Sequence, residues 1–395
     1  MQPTARIVIC RSNPIDPDPR VEKIARVLRS IGYSVHLLGW DRTGQLPEWM
    51  ELQGPGYSIP LSRLSIIAPF GHGLANLPNL LRWQWDLLRW LVRHREEFDL
   101  IHACDFDTVL PALFCKWRWG KKVVYDIFDF YADHLRATPK LIKQLIRSAD
   151  IYAINRADAL ILVDDSRWQQ IAGARPKLSA VIYNSPAQEY PPGSVKQPQP
   201  SHSTATLRLA YIGLLQVERG LLEMLAVLKK HPEWSLDLAG FGGDEDRILA
   251  ACQSLINVRW HGRVPYDQAL KLSQAADVLF ATYDPAIPNH RYSSPNKVFE
   301  AMMLAKPIIV ARDTNMDRII KQAKCGLVVP YGDLSGLEQA LQNLQDDPTL
   351  RRHLGQNAYQ AYQTTYSWEK MQERLANLYT QVAGPAESAI LNHND

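Results

Sequence analysis

Tyr292-Ser293-Ser294-Pro295-Asn296-Lys297-Val298-Phe299-Glu300-Ala301-Met302-Met303-Leu304-Ala305-Lys306-Pro307 runs directly into Ile308-Ile309-Val310. The stretch reads as a polar loop, a helix opened by Pro295, and a short buried strand, which is half of a βαβ unit. A loop feeding a helix N-terminus presents unpaired backbone N–H groups and the positive end of the helix dipole, a natural seat for phosphate. Glu300 falls one turn inside that helix, where a carboxylate could accept hydrogen bonds from a ribose. Phosphate and ribose together imply a nucleotide.

The same alternation extends outward in both directions. Upstream, strands are expected over 6–10, 34–38, 64–68, 100–103, 122–125, 159–163 and 180–182, with helices over 20–30, 77–97 and 139–157. Residues 185–206 break the pattern with Pro186, Pro191, Pro192, Pro198 and Pro200 among Gln and Ser, a linker composition. A second series of strands follows over 207–211, 235–239, 258–261, 278–280, 307–310 and 326–329. The expected organisation is an α/β domain over 1–185, a linker over 186–206, a second α/β domain over 207–365, a closing helix over 366–383 and a disordered tail over 384–395.

Bulk properties suit that plan. A chain of 395 residues exceeds one ordinary core and suggests two domains. A formal net charge of +3 gives no argument for nucleic acid. No apolar run reaches the length needed to span a bilayer, and the polar start opens no signal peptide. Cys10, Cys104, Cys115, Cys252 and Cys325 form no Cys-x-x-Cys pair. Reduced thiols in the cytoplasm are expected, with no zinc site.

Several segments share a family resemblance: Asp18-Pro19-Arg20-Val21, Gly32-Tyr33-Ser34-Val35, Tyr211-Ile212-Gly213, Glu218-Arg219-Gly220, Leu238-Ala239-Gly240-Phe241-Gly242, Ser294 through Glu300, and Tyr366-Ser367-Trp368. Together they resemble retaining glycosyltransferases of the GT-B fold, family 4. The resemblance implies two Rossmann-like domains facing a central cleft. It also implies sugar transfer from a nucleotide-sugar donor, UDP- or GDP-linked, with no other cofactor and no metal. The C-terminal domain would bind the donor, and the N-terminal domain a glycan or lipid-linked acceptor. Three positions depart from the family pattern. Tyr292 replaces the first of two Glu, Leu214 replaces an Arg, and Phe128 stands where many members carry His.

Donor contacts are expected from Gly213, Arg219, Gly240, Gly242, Arg263, Ser293, Ser294, Asn296, Lys297 and Glu300. Without a metal, a departing nucleoside diphosphate needs fixed cations, and Arg219 and Lys297 are the candidates. The plain alternatives are a solvated Arg at a helix start, a surface Lys, and a tight strand-to-helix turn for the glycines. In the first domain Asp105 and Asp129 are the candidate catalytic acids. Asn13, Arg20 and Asp126 are the candidate acceptor ligands, beyond the carboxyl ends of strands. Helix capping is the competing reading for Asp105.

Residues 77–97 and 114–122 are rich in Trp and cations, with Trp83 and Trp90 two turns apart on one helical face. Such a helix either lies in a bilayer interface, giving peripheral membrane contact, or packs its leucines onto a sheet. A nucleotide-sugar epimerase of the same architecture and a catalytically altered binding protein are the competing functions. The first would turn over donor without an acceptor; the second would bind nucleotide without turnover.

Overall fold

A computed structural model of the chain describes residues 5–54, 56–68, 76–134, 138–187 and 206–384. The chain divides into two compact units, Met1–Tyr183 with Met371–Asp395, and Asn184–Lys370. The Pro-rich linker expected at 186–206 and the tail expected at 384–395 fall, apart from their outermost residues, outside the described residues.

The first unit holds an eight-stranded sheet. Its strands are β1 (Arg6–Cys10), β2 (Ser34–Asp41), β3 (Trp49–Gly54), β4 (Tyr57–Ser65), β5 (Leu100–Cys104), β6 (Lys122–Ile127), β7 (Ala159–Leu162) and β8 (Ser179–Val181). They lie in the order β3-β4-β2-β1-β5-β6-β7-β8, and every pairing except β3 with β4 is parallel. The central strands β1 and β5 are almost wholly buried, as strands covered on both faces must be. The hairpin β3–β4 corrects the expected strand at 64–68: the paired segment ends at Ser65, and Ile66 and Ala68 are buried beyond it.

Three helices, Leu77–Arg93, Phe106–Trp119 and Lys140–Arg156, share one core with one face of this sheet. Trp83, Leu87 and Leu91, one stripe at four-residue spacing, supply the inward face of the first of them. Trp83 lies stacked on Trp40, ring centroids 5.1 Å apart. Of the two readings of this helix, Trp83 follows packing onto the sheet. The last helix, Trp368–Ala383, belongs to the first unit from Met371 onward. Its buried Tyr379 hydroxyl meets His102 Nδ1 at 2.5 Å.

The second unit is an all-parallel sheet of β9 (Arg208–Leu214), β10 (Ser235–Phe241), β11 (Val258–Trp260), β12 (Val278–Ala281), β13 (Ile308–Ala311) and β14 (Gly326–Val329). The order is β11-β10-β9-β12-β13-β14. Strand order thus reverses between β9 and β12, and in the first unit between β1 and β5. Ligands in open α/β sheets bind beyond the carboxyl ends of strands at such switch points.

Candidate functional site

At the switch point of the second unit, β9 ends in Gly213-Leu214, and Thr282-Tyr283 follow β12. Lys297 reaches this corner from the first turn of the helix Asn296–Met303. Its Nζ lies 3.3 Å from the centroid of the Tyr211 ring and 5.8 Å from that of Tyr283. A side chain at Gly213 would place its Cβ 3.2 Å from the same Nζ. Lys297 is half-exposed as a residue, yet its Nζ is sealed from solvent and has no hydrogen-bond partner. Burial, and then repulsion from Arg219, hold its pKa well below the ordinary lysine value, while Glu300 pulls the other way. A buried ammonium that keeps three unused donors is unstable unless an anion joins it.

Arg219 closes the short turn Val217–Arg219 ahead of the helix Leu221–Leu228. Its guanidinium stacks 4.5 Å over the Tyr283 ring, donates to the Tyr283 hydroxyl at 2.6 Å and to Gln216 Oε1 at 2.9 Å. The arginine is therefore built in by an aromatic wall, unlike a solvated Arg at a helix start. Glu300 lies on the same helix as Lys297, and its charge bears on both Lys297 and Tyr283.

No side chain caps the N-terminus of the helix Asn296–Met303, whose N-cap position is Pro295. Val298 N donates back to the Pro295 carbonyl at 3.1 Å. The N–H groups of Asn296 and Lys297 have no intrahelical acceptor, and the helix dipole faces the loop of Ser293 and Ser294. Ser294 is buried; its carbonyl accepts from Asn184 Nδ2 at 3.2 Å, and its Oγ has no partner. The backbone of Ser293 closes a turn onto the His290 carbonyl.

The glycines after β10 have a structural cause. Gly240 holds φ at +148°, and a Cβ there would lie 1.8 Å from the Gly213 carbonyl oxygen. Gly242 abuts the Leu215 backbone in the same way. Close approach between neighbouring strand ends requires both, which is the strand-to-helix turn reading. Arg263 is exposed and stacks 4.6 Å over Phe241, itself exposed at the end of β10. Phe241, Tyr211 and Tyr283 were missed in the sequence, because an aromatic residue in or beside a strand reads as core.

The first unit brings its candidates together at its own switch point. Arg11, just past β1, pairs with Asp105, just past β5, and with Asp18 Oδ2 at 3.1 Å. Burial opposes the Arg11 charge, but Asp105 and Asp18 outweigh it and hold its pKa above the ordinary value. Asn13 donates to Asp18 Oδ2 at 2.7 Å. Asp105 occupies the N-cap position at φ +66° without capping; instead Oδ1 accepts from Phe128 N at 2.8 Å. Asp107 is buried beside it, and burial together with the Asp105 charge pushes its carboxyl up to about 6.

Two of the expected acceptor ligands close on each other instead. Asp126 is fully buried; its carboxylate accepts from Arg20 at 2.9 and 3.2 Å and lies 3.4 Å from His102 Nε2. Arg20 also donates to the Ile182 carbonyl at 2.7 Å. Burial raises the Asp126 pKa, but Arg20 and His102 overcome it and hold it below the usual carboxylate value. Asp129 differs: its side chain is 47% exposed, held at 3.0 Å by the buried Arg167. Phe128 lies against both Arg11 and Arg20, 4.0 and 4.9 Å from their guanidinium carbons.

Comparison with known proteins adds three kinds of likeness. The family described as glycosyl transferases group 1 matches residues 198–361, and a glycosyl transferase 4-like domain matches residues 17–176. Glycogen synthase of Mycobacterium tuberculosis is 22% identical over 292 residues, covering 71% of this chain and 68% of that protein. Among solved structures, sucrose-phosphate synthase from Thermosynechococcus elongatus superposes with a TM-score of 0.76 at 16% identity, over 95% of this chain and 98% of that one. The Anabaena protein HepE, in complex with UDP and glucose, superposes with a TM-score of 0.69 at 16% identity, over 95% and 100%.

Proposed function

The chain belongs to the group 1 glycosyltransferases of GT-B fold, and from that premise we propose that its second unit holds a nucleotide sugar by the diphosphate between Lys297 and Arg219. The observation that carries this is the Lys297 ammonium, sealed from solvent, without a hydrogen-bond partner, and beside an uncapped helix N-terminus. One diphosphate would satisfy the ammonium, the guanidinium and the helix amides together. Glu300 would accept from the ribose hydroxyls. Arg263 and Phe241 would flank the nucleobase, with the close backbone at Gly213, Gly240 and Gly242 beside it. HepE, crystallised with UDP and glucose, supports a UDP-linked donor.

As the bond from the anomeric carbon to phosphate breaks, charge gathers on the departing phosphate oxygens. Arg219, Lys297 once protonated and the helix dipole would meet that charge, stabilising the transition state more than the ground state. Those groups supply the work that a bound metal would otherwise do, and the reaction is proposed to need none. The acceptor hydroxyl attacks from the side the phosphate leaves, passing its proton to a phosphate oxygen, so that the anomeric configuration is retained. In the first unit, Asp129 is the exposed carboxylate offered to an acceptor sugar, and Asp105 holds the loop that carries it. The acceptor class is a glycan or a lipid-linked sugar.

The test is a hydrolysis and transfer screen. The protein is incubated with a panel of nucleotide sugars in the presence of a chelator, and free nucleoside diphosphate is measured. Release from at least one UDP- or GDP-sugar, increased by an acceptor, is expected. No release from any donor contradicts the proposal, and release only after a divalent cation is added contradicts metal independence.

A further inference from the structure

We infer that the outer surface of the helices Leu77–Arg93, Phe106–Trp119 and Lys140–Arg156 docks the protein onto an anionic lipid bilayer. All three helices pack in one layer against the same face of the first sheet, so their backs look the same way. Each back carries an apolar stripe at helical spacing that is exposed among the described residues. Leu81 and Trp85 form it on the first helix, Phe114 and Trp117 on the second, and Leu141 and Leu145 on the third. Trp85 is 61% exposed, Trp117 78% and Leu145 63%. An exposed Leu alone would mean nothing, but exposed apolar stripes on three helices of one layer need an occupant.

The charge says which occupant. The three helices carry nine Lys and Arg against three Asp, a net of +6, in a chain whose formal net charge is only +3. The remainder of the protein is therefore acidic overall. Two of the three acids, Asp107 and Asp150, are buried beneath the layer, and the third, Asp86, lies between Arg82 and Arg89. The outer face is thus cationic and apolar at once, with indoles at its surface. That is the chemistry of a headgroup interface: Trp and Leu enter the acyl boundary while Arg and Lys reach lipid phosphates.

This inference does not depend on the donor reading, and its test involves no turnover. The full chain is sedimented with vesicles of phosphatidylcholine alone and of phosphatidylcholine mixed with phosphatidylglycerol. Binding to the mixed vesicles, little binding to the neutral ones, and loss of binding in high salt are expected. The pair Trp85→Ser with Trp117→Ser should lower the partition coefficient at least tenfold, as should Arg82→Glu with Arg118→Glu, with circular dichroism unchanged. Brominated lipid should quench wild-type tryptophan emission, and less so in the Trp pair. Equal sedimentation of wild type and both variants overturns the inference, as does no binding to anionic vesicles. So does a dimer in analytical ultracentrifugation that the Trp pair abolishes, which would assign the face to a second copy.

Discussion

The Lys297 ammonium lies 3.3 Å from the centroid of the Tyr211 ring and has no hydrogen-bond partner. A cation over an aromatic face gains about 0.5–2 kcal/mol, which leaves its three N–H donors unused and its hydration lost. The free site therefore disfavours the charged form of Lys297, and an incoming phosphate would favour it. It follows that Lys297 should take up a proton on binding nucleotide, since its free-state pKa is depressed and an added anion raises it. Calorimetry in buffers of different ionisation enthalpy reads this directly. A binding enthalpy that does not change with buffer contradicts it.

Glu300 is the expected ribose ligand. Glu300→Ala should raise the donor KM or lower kcat/KM by more than tenfold, matching a charge-assisted hydrogen bond of about 1.5–3 kcal/mol. Steady-state kinetics on the preferred nucleotide sugar checks this. Unchanged kcat and KM would remove Glu300 from the site.

How much of this was legible in the sequence follows from burial. Parallel strands covered on both faces read as continuous apolar runs, so β1, β5, β6, β12 and β13 stand out. Gly326–Val329 is found to the residue although it is half-buried. The hairpin β3–β4 was not legible: it is half-exposed, and Pro60 within β4 argues against a strand. At the site, Arg219, Lys297 and Glu300 announce themselves by charge near a helix start. The aromatic walls do not, because Tyr211 and Tyr283 look like core until the switch point puts them around a cation. Trp83 stayed open between two readings, since its sequence position cannot say which stripe of its helix meets Trp40.

Asp126 should prove a structural residue. Asp126→Ala leaves the buried Arg20 guanidinium unpaired, and losing one partner of a buried pair costs about 3–5 kcal/mol. Urea unfolding should show that loss. A change below about 1 kcal/mol, the scale of an exposed pair, would mean that Asp126 is free for another role.

Asp150 predicts a pH effect on stability. It is buried, accepts from the Tyr125 hydroxyl at 2.7 Å, and burial is the chief cause pushing its carboxyl up to about 7. An unfolded Asp titrates near about 3.9. The folded state thus holds the extra proton, so this contribution is complete below about pH 4 and is lost as pH rises through about 7. Asp150→Asn keeps the neutral form at every pH. Melting curves of wild type and variant should lie close at pH 4 and diverge in favour of the variant toward pH 8, by up to about 1.4 kcal/mol per pH unit. Parallel pH profiles would contradict the assignment.

The most direct measurement is isothermal titration of UDP and GDP into wild-type protein and into Lys297→Ala and Arg219→Ala. At least one nucleoside diphosphate should bind wild type, and each substitution should weaken it by tenfold or more while circular dichroism stays unchanged. Binding that both substitutions leave intact, or no binding to wild type by either nucleotide, would show that the second unit's switch point is not the seat of the donor.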